Sequence, residues 1–154
     1  LSSVVNSVAE DFNSDLSNSN KNIIINIYDP HLKDAKINVL GVESKLEQIV
    51  ANLLENAISF SPPNSKISVI CDIKKDEAQL VIEDEGPGFN EKNINKIFNR
   101  FYSNRPEKFG EHSGLGLNIV KNIIELHGGS IIPSNLSKGN KKGARVEVLL
   151  PIYK

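Results

Sequence analysis

Cysteine is nearly absent from this sequence, in which Cys71 is the single thiol among 154 residues. One thiol excludes an internal disulfide and also a zinc site built from several cysteines. Because Cys71 lies in a stretch where apolar and polar residues alternate, we expect it to be a small residue of the core.

Long apolar runs and an excess of one charge are also absent. No run approaches the length of a membrane span, and no secretory signal is present. The net charge of −1 argues against a nucleic-acid-binding protein that relies on a broad basic surface, so we expect no nucleic acid among its partners. The first residue is leucine rather than methionine, and we expect the chain to be a piece of a longer protein.

The composition that is present fits one globular domain, with 39% hydrophobic and 24% charged residues. Helical and strand patterns are mixed along the chain and include hairpins, which predicts an α+β fold: one mixed, mostly antiparallel sheet covered on one face by helices. The patterns predict helices over 4–16, 46–61, 91–102 and 114–127, and strands over 23–28, 36–40, 66–74, 79–83, 130–134 and 144–152.

The predicted helix LEQIVANLLENAISFS, from Leu46 to Ser61, organises the chain. Asn52 and Asn56 lie one turn apart on its polar side, although asparagine is weaker than alanine as a helix former by roughly half a kcal/mol. A solvated polar stripe is the ordinary explanation, but Glu and Lys would serve it better. Asparagine oxygens are ligands that a hydrated magnesium ion accepts beside phosphates. The polar side comprises Lys45, Gln48, Asn52, Glu55, Asn56 and Ser59, opposite Leu46, Ile49, Val50, Leu53, Leu54, Ala57, Ile58 and Phe60.

Two glycine-bearing segments follow. Gly86-Pro87-Gly88 by itself favours a hairpin turn, yet Asp84 at the preceding strand exit suits a carboxylate that reads an amino group on a flat ligand. Gly114-Leu115-Gly116 opens a helix whose free N–H groups can bind phosphate, while tight packing of that helix on the sheet is an equally good explanation. Together with the asparagines, these segments predict a nucleotide site.

In this order, the segments resemble the catalytic and ATP-binding domain of bacterial sensor histidine kinases, within the wider GHKL group of ATPases. The resemblance implies a two-layer α/β sandwich, the Bergerat fold, over the whole of residues 1–154, with a lid at about 89–113 and no dimerisation or phosphoacceptor domain. The matching motifs are NLLENA at 52–57, DEGPG at 84–88, IFNRFY at 97–102, SGLGLNIVK at 113–121 and HGGSI at 127–131.

The resemblance also implies ATP and Mg²⁺ as cofactors and a role for each matched residue. Asn56 would coordinate the magnesium ion, Asn52 would line the phosphate region, and Asp84 would bond the adenine amino group. Gly86 and Gly88 would give the adenine room. Further contacts with the nucleotide would come from Ser59, Phe60, Phe98, Tyr102, Ser113, Gly114, Leu115, Gly116 and Leu117.

The sequence departs from the family pattern at two positions. Ser59 and Ser103 stand where the family commonly has a basic residue, so charge neutralisation at the γ-phosphate must come from elsewhere. Arg100, Arg105 and Lys108 are the candidates, although basic residues on a loop are usually only solvated charge. Glu55 is a candidate for orienting or deprotonating the nucleophile.

None of the three histidines, His31, His112 and His127, has the helical context and following acidic residue of the family's phosphoacceptor. The predicted function is therefore transfer of the ATP γ-phosphate to a histidine on the absent dimerisation domain, in two-component signalling. The resemblance implies a cytoplasmic domain whose parent is a homodimer in the bacterial inner membrane and acts on a cognate response regulator.

Three other functions stay open for a chain with these motifs. One is a serine kinase that also binds a sigma factor, and another is a nucleotide-binding pseudokinase, which Ser59 and Ser103 leave open. The third is an ATPase clamp like those of type II topoisomerases and mismatch-repair proteins. Such clamps usually carry a catalytic glutamate at the position of Asn52.

Overall fold

The computed structural model describes residues 1–16, 22–30, 37–89, 91–99, 116–138 and 141–153. Helices and strands are mixed along the chain, as predicted. The helices are α1 (Ser2–Leu16), α2 (Glu43–Phe60), a 3-10 helix (Glu91–Phe98) and α3 (Gly116–Leu126), and the strands are β1 (Ile24–Tyr28), β2 (Lys66–Lys74), β3 (Glu77–Glu83), β4 (Ser130–Lys138) and β5 (Lys141–Pro151).

The strands form one sheet in the order β1-β2-β3-β5-β4. β1 runs parallel to β2, and the other three neighbouring pairs are antiparallel. At the β2–β3 hairpin, Lys75 and Asp76 have φ angles of 48° and 65°, and a two-residue type I′ turn requires positive φ at both positions. The prediction of a mixed, mostly antiparallel sheet in an α+β fold is confirmed.

The three α-helices contribute to one core against the sheet. Val5 of α1, Leu54 of α2 and Ile124 of α3 are each 0% exposed, as is Cys71 on β2, which is the core residue that its sequence context predicted. Each large aliphatic side chain buried in this way stabilises the fold by roughly 1.5–3 kcal/mol.

α2 has the apolar side that its sequence predicts. It begins at Glu43, before the predicted start, and it ends at Phe60. Ser61 closes it, because its hydroxyl donates to the carbonyl oxygen of Ala57 over 2.7 Å. The helix face that packs into the core consists of Leu46, Ile49, Val50, Leu53, Leu54 and Ala57.

The sheet face opposite the core, which none of the described α-helices covers and which is called the helix-free face, carries a charge cluster centred on Glu147 of β5. This side chain is only 3% exposed. Gln79 donates to its Oε2 over 2.7 Å, while Lys74 and Arg145 each lie 3.3 Å from its carboxylate. These donors outweigh the effect of burial and lower the pKa of Glu147.

Several predicted element bounds were wrong. The segment predicted as a strand at 36–40 forms, in its described part, a single bridge from Val39 to Ile152, because the chain turns at once into α2. The helix predicted at 91–102 is a 3-10 helix that ends at Phe98. β4 and β5 are longer than predicted, since residues 135–138 pair with residues 141–144.

Candidate functional site

Asp84 lies directly after β3 and is 5% exposed. Its backbone N–H donates to the carbonyl oxygen of Ala144 over 3.0 Å. Its Oδ1 accepts the N–H of Gly86 at 2.8 Å and that of Ala144 at 3.1 Å. Burial raises the pKa of Asp84, and the two N–H donors offset that effect only in part. In the described part of the chain no group donates to Oδ2, so this oxygen can accept from a ligand.

The loop after Asp84 lies against the last turn of α2. A Cβ atom added to Gly86 would come within 2.6 Å of the carbonyl oxygen of Phe60, so a side chain does not fit there. Phe60 follows Asn56 by about one helical turn and Asn52 by about two. The structure thus brings Asp84 and Gly86 to the end of the helix that carries both asparagines.

Gly88 adopts a backbone conformation that favours glycine, with a φ angle of 81°. A Cβ atom there would lie 2.7 Å from Asn135 Oδ1. Asn135, on β4, is hydrogen-bonded to Phe89, the residue after Gly88. Its Oδ1 accepts the N–H of Phe89 at 2.6 Å and its Nδ2 donates to the carbonyl oxygen of Phe89 over 2.8 Å.

Sequence reasoning missed two residues of this site, Asn135 and Gly143. A Cβ atom on Gly143 would overlap the carbonyl oxygen of Asp84, so β5 passes against the backbone of the carboxylate-bearing residue. A glycine just before an alternating apolar run is a signal of such a close approach. Asn135 gives no comparable signal, because its partner Phe89 is 46 residues away.

The polar side of α2 has unequal exposure. Glu55 is exposed, and Asn52, Asn56 and Ser59 are partly exposed. Ser59 donates its hydroxyl to the backbone carbonyl of Asn56 over 3.0 Å. Across the described ranges no group of three or more His, Cys, Asp or Glu side chains could hold a metal ion. An amide oxygen with phosphates and water as the other ligands fits Mg²⁺, which takes few protein ligands.

Phe98 and α3 are joined by two contacts. Asn118 donates to the carbonyl oxygen of Phe98 over 3.0 Å, and Lys121 Nζ lies 5.2 Å from the centre of its ring. Leu117 packs against the core. A Cβ atom on Gly116 would meet nothing within 4 Å in the described structure, so packing against the described residues does not require a glycine at this position.

Part of the predicted site lies outside the described residues, as do His31 and His112. His127 is described: it joins the end of α3 to the start of α2, with Nδ1 2.7 Å from the carbonyl oxygen of Ile123 and Nε2 accepting the N–H of Val42 at 3.4 Å. The predicted site residues outside the description are Arg100, Tyr102, Arg105, Lys108, Ser113, Gly114 and Leu115, and with them most of the predicted lid.

A depression of about 250 Å³ lies beside Asp84, and several of its lining residues project from the helix-free face of the sheet. Among the described residues, the depression shares Asp84 with the predicted nucleotide site, but neither Asn52 nor Asn56 lines it. Its lining residues are Lys66, Ser68, Glu83, Asp84, Glu85, Leu136 and Lys142.

The sequence profile of the family described as "Histidine kinase-, DNA gyrase B-, and HSP90-like ATPase" matches residues 41–154. Sensor protein ChvG of Agrobacterium fabrum is 39% identical over 148 residues, which cover 92% of this chain and 25% of that protein. Sensor protein kinase PmrB of Pseudomonas aeruginosa is 39% identical over 121 residues, covering 78% of this chain and 25% of that protein. The chain therefore spans about a quarter of the length of these curated relatives.

Solved structures agree with this match. The structure titled "Mycobacterial sensor histidine kinase MprB" has a TM-score of 0.80 and 28% identity, covering 98% of this chain and 93% of that one. No described helix is both long and apolar enough to cross a membrane. With the Asp84 loop and the asparagine-bearing helix in place, the chain belongs to the family of histidine kinase-, DNA gyrase B- and HSP90-like ATPases, as an ATP-binding catalytic domain of the sensor histidine kinase type.

Proposed function

We propose that this domain binds Mg²⁺-ATP and presents its γ-phosphate to a histidine on the dimerisation domain of a longer sensor kinase. The observation that carries the proposal is the state of the Asp84 carboxylate. One oxygen is held by the N–H groups of Gly86 and Ala144, and none of the described residues donates to the other, which can accept from a ligand. Adenine offers an amino donor for such an oxygen, whereas guanine has a carbonyl oxygen at the same ring position.

The glycine loop gives the adenine a place beside that carboxylate. Gly86 lies against the backbone of Phe60, and Gly88 against Asn135, so backbone lines this part of the site where side chains would occupy space. A flat ring fits between such a loop and the end of α2. Ser59 and Phe60, both partly buried at that end, are placed to contact the nucleotide.

The phosphates would extend along α2 towards its asparagines. Asn56 would offer its amide oxygen to Mg²⁺, and Asn52, one turn earlier, would line the phosphate region. Bound magnesium would supply positive charge that offsets the developing charge on the transferred phosphoryl group. At the other side of the phosphates, the N–H groups at the start of α3, with those of Gly114, Leu115 and Gly116, would donate to phosphate oxygens.

Phosphoryl transfer needs groups beyond the binding site. Glu55 is exposed on the side of α2 that carries both asparagines, where it can meet an incoming nucleophile. Arg100 and Arg105 would neutralise charge at the γ-phosphate in place of the basic residues that Ser59 and Ser103 replace. The acceptor histidine, the homodimeric parent in the inner membrane and a cognate response regulator complete the proposed system, with this domain on the cytoplasmic side.

The decisive experiment mixes the chain, γ-labelled ATP and Mg²⁺ with the separately prepared dimerisation domain. We expect label on that domain in a bond that acid breaks and base does not, and none after its acceptor histidine is replaced. Nucleotide binding without transfer would point to a pseudokinase, and steady ATP hydrolysis by the chain alone would point to an ATPase clamp. A stable complex with a sigma factor would favour the serine kinase alternative.

A further inference from the structure

Asn135 of β4 makes a paired contact with a single residue of the loop beyond Asp84. Its Oδ1 accepts from the Phe89 N–H at 2.6 Å, and its Nδ2 donates to the Phe89 carbonyl oxygen at 2.8 Å. Two hydrogen bonds from one amide group to one peptide residue fix both the position and the orientation of that backbone. Gly88, the residue before Phe89, has a φ angle of 81°. A Cβ atom on Gly88 would lie 2.7 Å from Asn135 Oδ1, so a side chain does not fit there.

The neighbouring strand β5 holds the other end of the same loop. Ala144 accepts the Asp84 N–H at 3.0 Å and donates to Asp84 Oδ1 at 3.1 Å, and Gly143 packs on the Asp84 backbone. Asn135 and Ala144 face each other in the β4–β5 register. The facing pair Asn135 and Ala144 of the β4–β5 hairpin is therefore hydrogen-bonded to both ends of the segment 84–89.

We infer that Asn135 is a positioning residue for the nucleotide site, acting through the Phe89 backbone to hold the loop that carries Asp84 and Gly86 in the geometry that reads adenine. The inference rests on the proposed function. It assigns the β4–β5 hairpin a part in base selectivity, exerted through the backbone of Phe89. A displaced loop would move the free oxygen of Asp84 away from the position where it meets an amino group.

The chain contains a matched control for this contact. Asn13 of α1 makes the same pair of hydrogen bonds with Ile25, accepting its N–H at 3.0 Å and donating to its carbonyl oxygen at 3.1 Å. Ile25 lies on β1, at the opposite edge of the sheet from β4. Asn13→Leu and Asn135→Leu therefore remove equivalent bonds, and only the second lies beside the nucleotide loop.

The experiment measures the dissociation constants of Mg²⁺-ADP and Mg²⁺-GDP by calorimetry for the unaltered chain and both variants, with thermal unfolding in parallel. We expect Asn135→Leu to weaken ADP binding roughly tenfold and to reduce the preference for ADP over GDP, because small misplacements in a site are costly. Asn13→Leu should lower the unfolding temperature similarly but leave both constants within about twofold, as for a distant site.

Equal effects of the two variants on binding, or an unchanged ADP preference in Asn135→Leu, would overturn the role of Asn135 but not the proposed function. Failure of the unaltered chain to bind Mg²⁺-ADP would overturn the proposed function and this inference with it. If Asn135→Leu does not fold, Asn135→Asp decides, since its carboxylate keeps the acceptor and loses the donor. The ADP preference should then fall by about threefold, and no change would overturn the inference.

Discussion

The N–H of Gly86 donates to Asp84 Oδ1 over 2.8 Å, two residues back along the chain. This short bond, together with the one from Ala144, decides which carboxylate oxygen is left for a ligand. Both donors are backbone N–H groups, which remain in place when the side chain of Asp84 is changed. Changes to Asp84 itself therefore test the chemistry of the free oxygen with little effect on the local fold.

The substitution Asp84→Asn should change base selectivity. The asparagine oxygen can keep both bonds of Oδ1, which places an NH₂ group where Oδ2 was. That group would oppose the adenine amino group and could donate to the guanine carbonyl oxygen. We expect ATP binding to weaken by about tenfold or more, the equivalent of 1.4 kcal/mol, with a much smaller loss for GTP in calorimetry. Equal losses for the two nucleotides would contradict the role of Asp84.

The same substitution should stabilise the nucleotide-free domain near neutral pH. The folded pKa of Asp84 is raised above its ordinary value of 3.8, so the folded state holds this proton more tightly than the unfolded state does. Stability is therefore lost as pH rises from 3.8 through the folded pKa. We expect Asp84→Asn to unfold at a higher temperature than the unaltered chain at pH 7, as measured by thermal denaturation.

In a pH series, that difference should shrink as the pH falls towards 4. A constant difference at all pH values would show that burial of the Asp84 charge is not its cause.

Glu147 should show the opposite pH dependence. Its folded pKa is lowered below 4.5, so the stability that it contributes is present above pH 4.5 and is lost as the pH falls through the folded pKa. Glu147→Gln should reduce the free energy of unfolding by about 1–3 kcal/mol at pH 7, because it weakens bonds to charged donors on the helix-free face. In urea titrations, the loss should diminish below pH 4.5. Nucleotide affinity is the control and should not change.

Asn56→Ala should abolish the dependence of nucleotide affinity on magnesium, because the amide oxygen would be a direct ligand of the ion. Calorimetry of ADP with Mg²⁺ and with a chelator measures this, and the two values should converge in the variant. Gln48→Ala, on the same side of α2 two turns before Asn56, is the matched control and should keep the difference. Unaltered ADP and magnesium affinity in Asn56→Ala would refute its role as a ligand.

Two glycine substitutions should have opposite effects on stability. Gly143→Ala would force a methyl group onto the Asp84 backbone, so we expect a loss of about 1–3 kcal/mol and weaker nucleotide binding. Gly116→Ala meets no neighbour within 4 Å in the described structure and should stabilise α3 by up to about 1 kcal/mol.

Gly116→Ala keeps the backbone N–H, but if bound phosphate lies against the Cα atom of Gly116, the added methyl group would crowd it, and the variant should gain stability while it loses ADP affinity. Chemical denaturation and calorimetry on the same samples separate the two effects. An unchanged affinity would argue against a contact between Gly116 and the phosphates.

The sequence was most informative where the signal was local. The apolar period of α2, the stop at Ser61-Pro62 and the alternation of β2 each lie within one element, and each was predicted closely. Asp84 was proposed as a site residue because an acidic residue beside Gly86 at a strand exit is a local pattern. Such features need no knowledge of which segments meet.

Long-range contacts set the features that the sequence did not predict. The end of β4 is polar, and only its pairing with β5 makes it a strand. The contact of Asn135 with Phe89 joins residues 46 apart, and Gly143 meets Asp84 across a similar separation. The predicted strand at 36–40 was wrong for a related reason. Alternation of apolar residues does not ensure that a neighbouring strand pairs with the whole segment.

The contact of Asn13 with Ile25 has a consequence for handling the protein. An outermost strand exposes N–H and C=O groups on which another chain can add itself. On β1, both of these groups of Ile25 are already engaged by the Asn13 amide. On the far border of the sheet, β4 contains Pro133, which has no N–H to offer. Because each edge strand has fewer backbone groups available to another chain, concentrated preparations of the domain should resist fibre formation and stay monodisperse in light scattering.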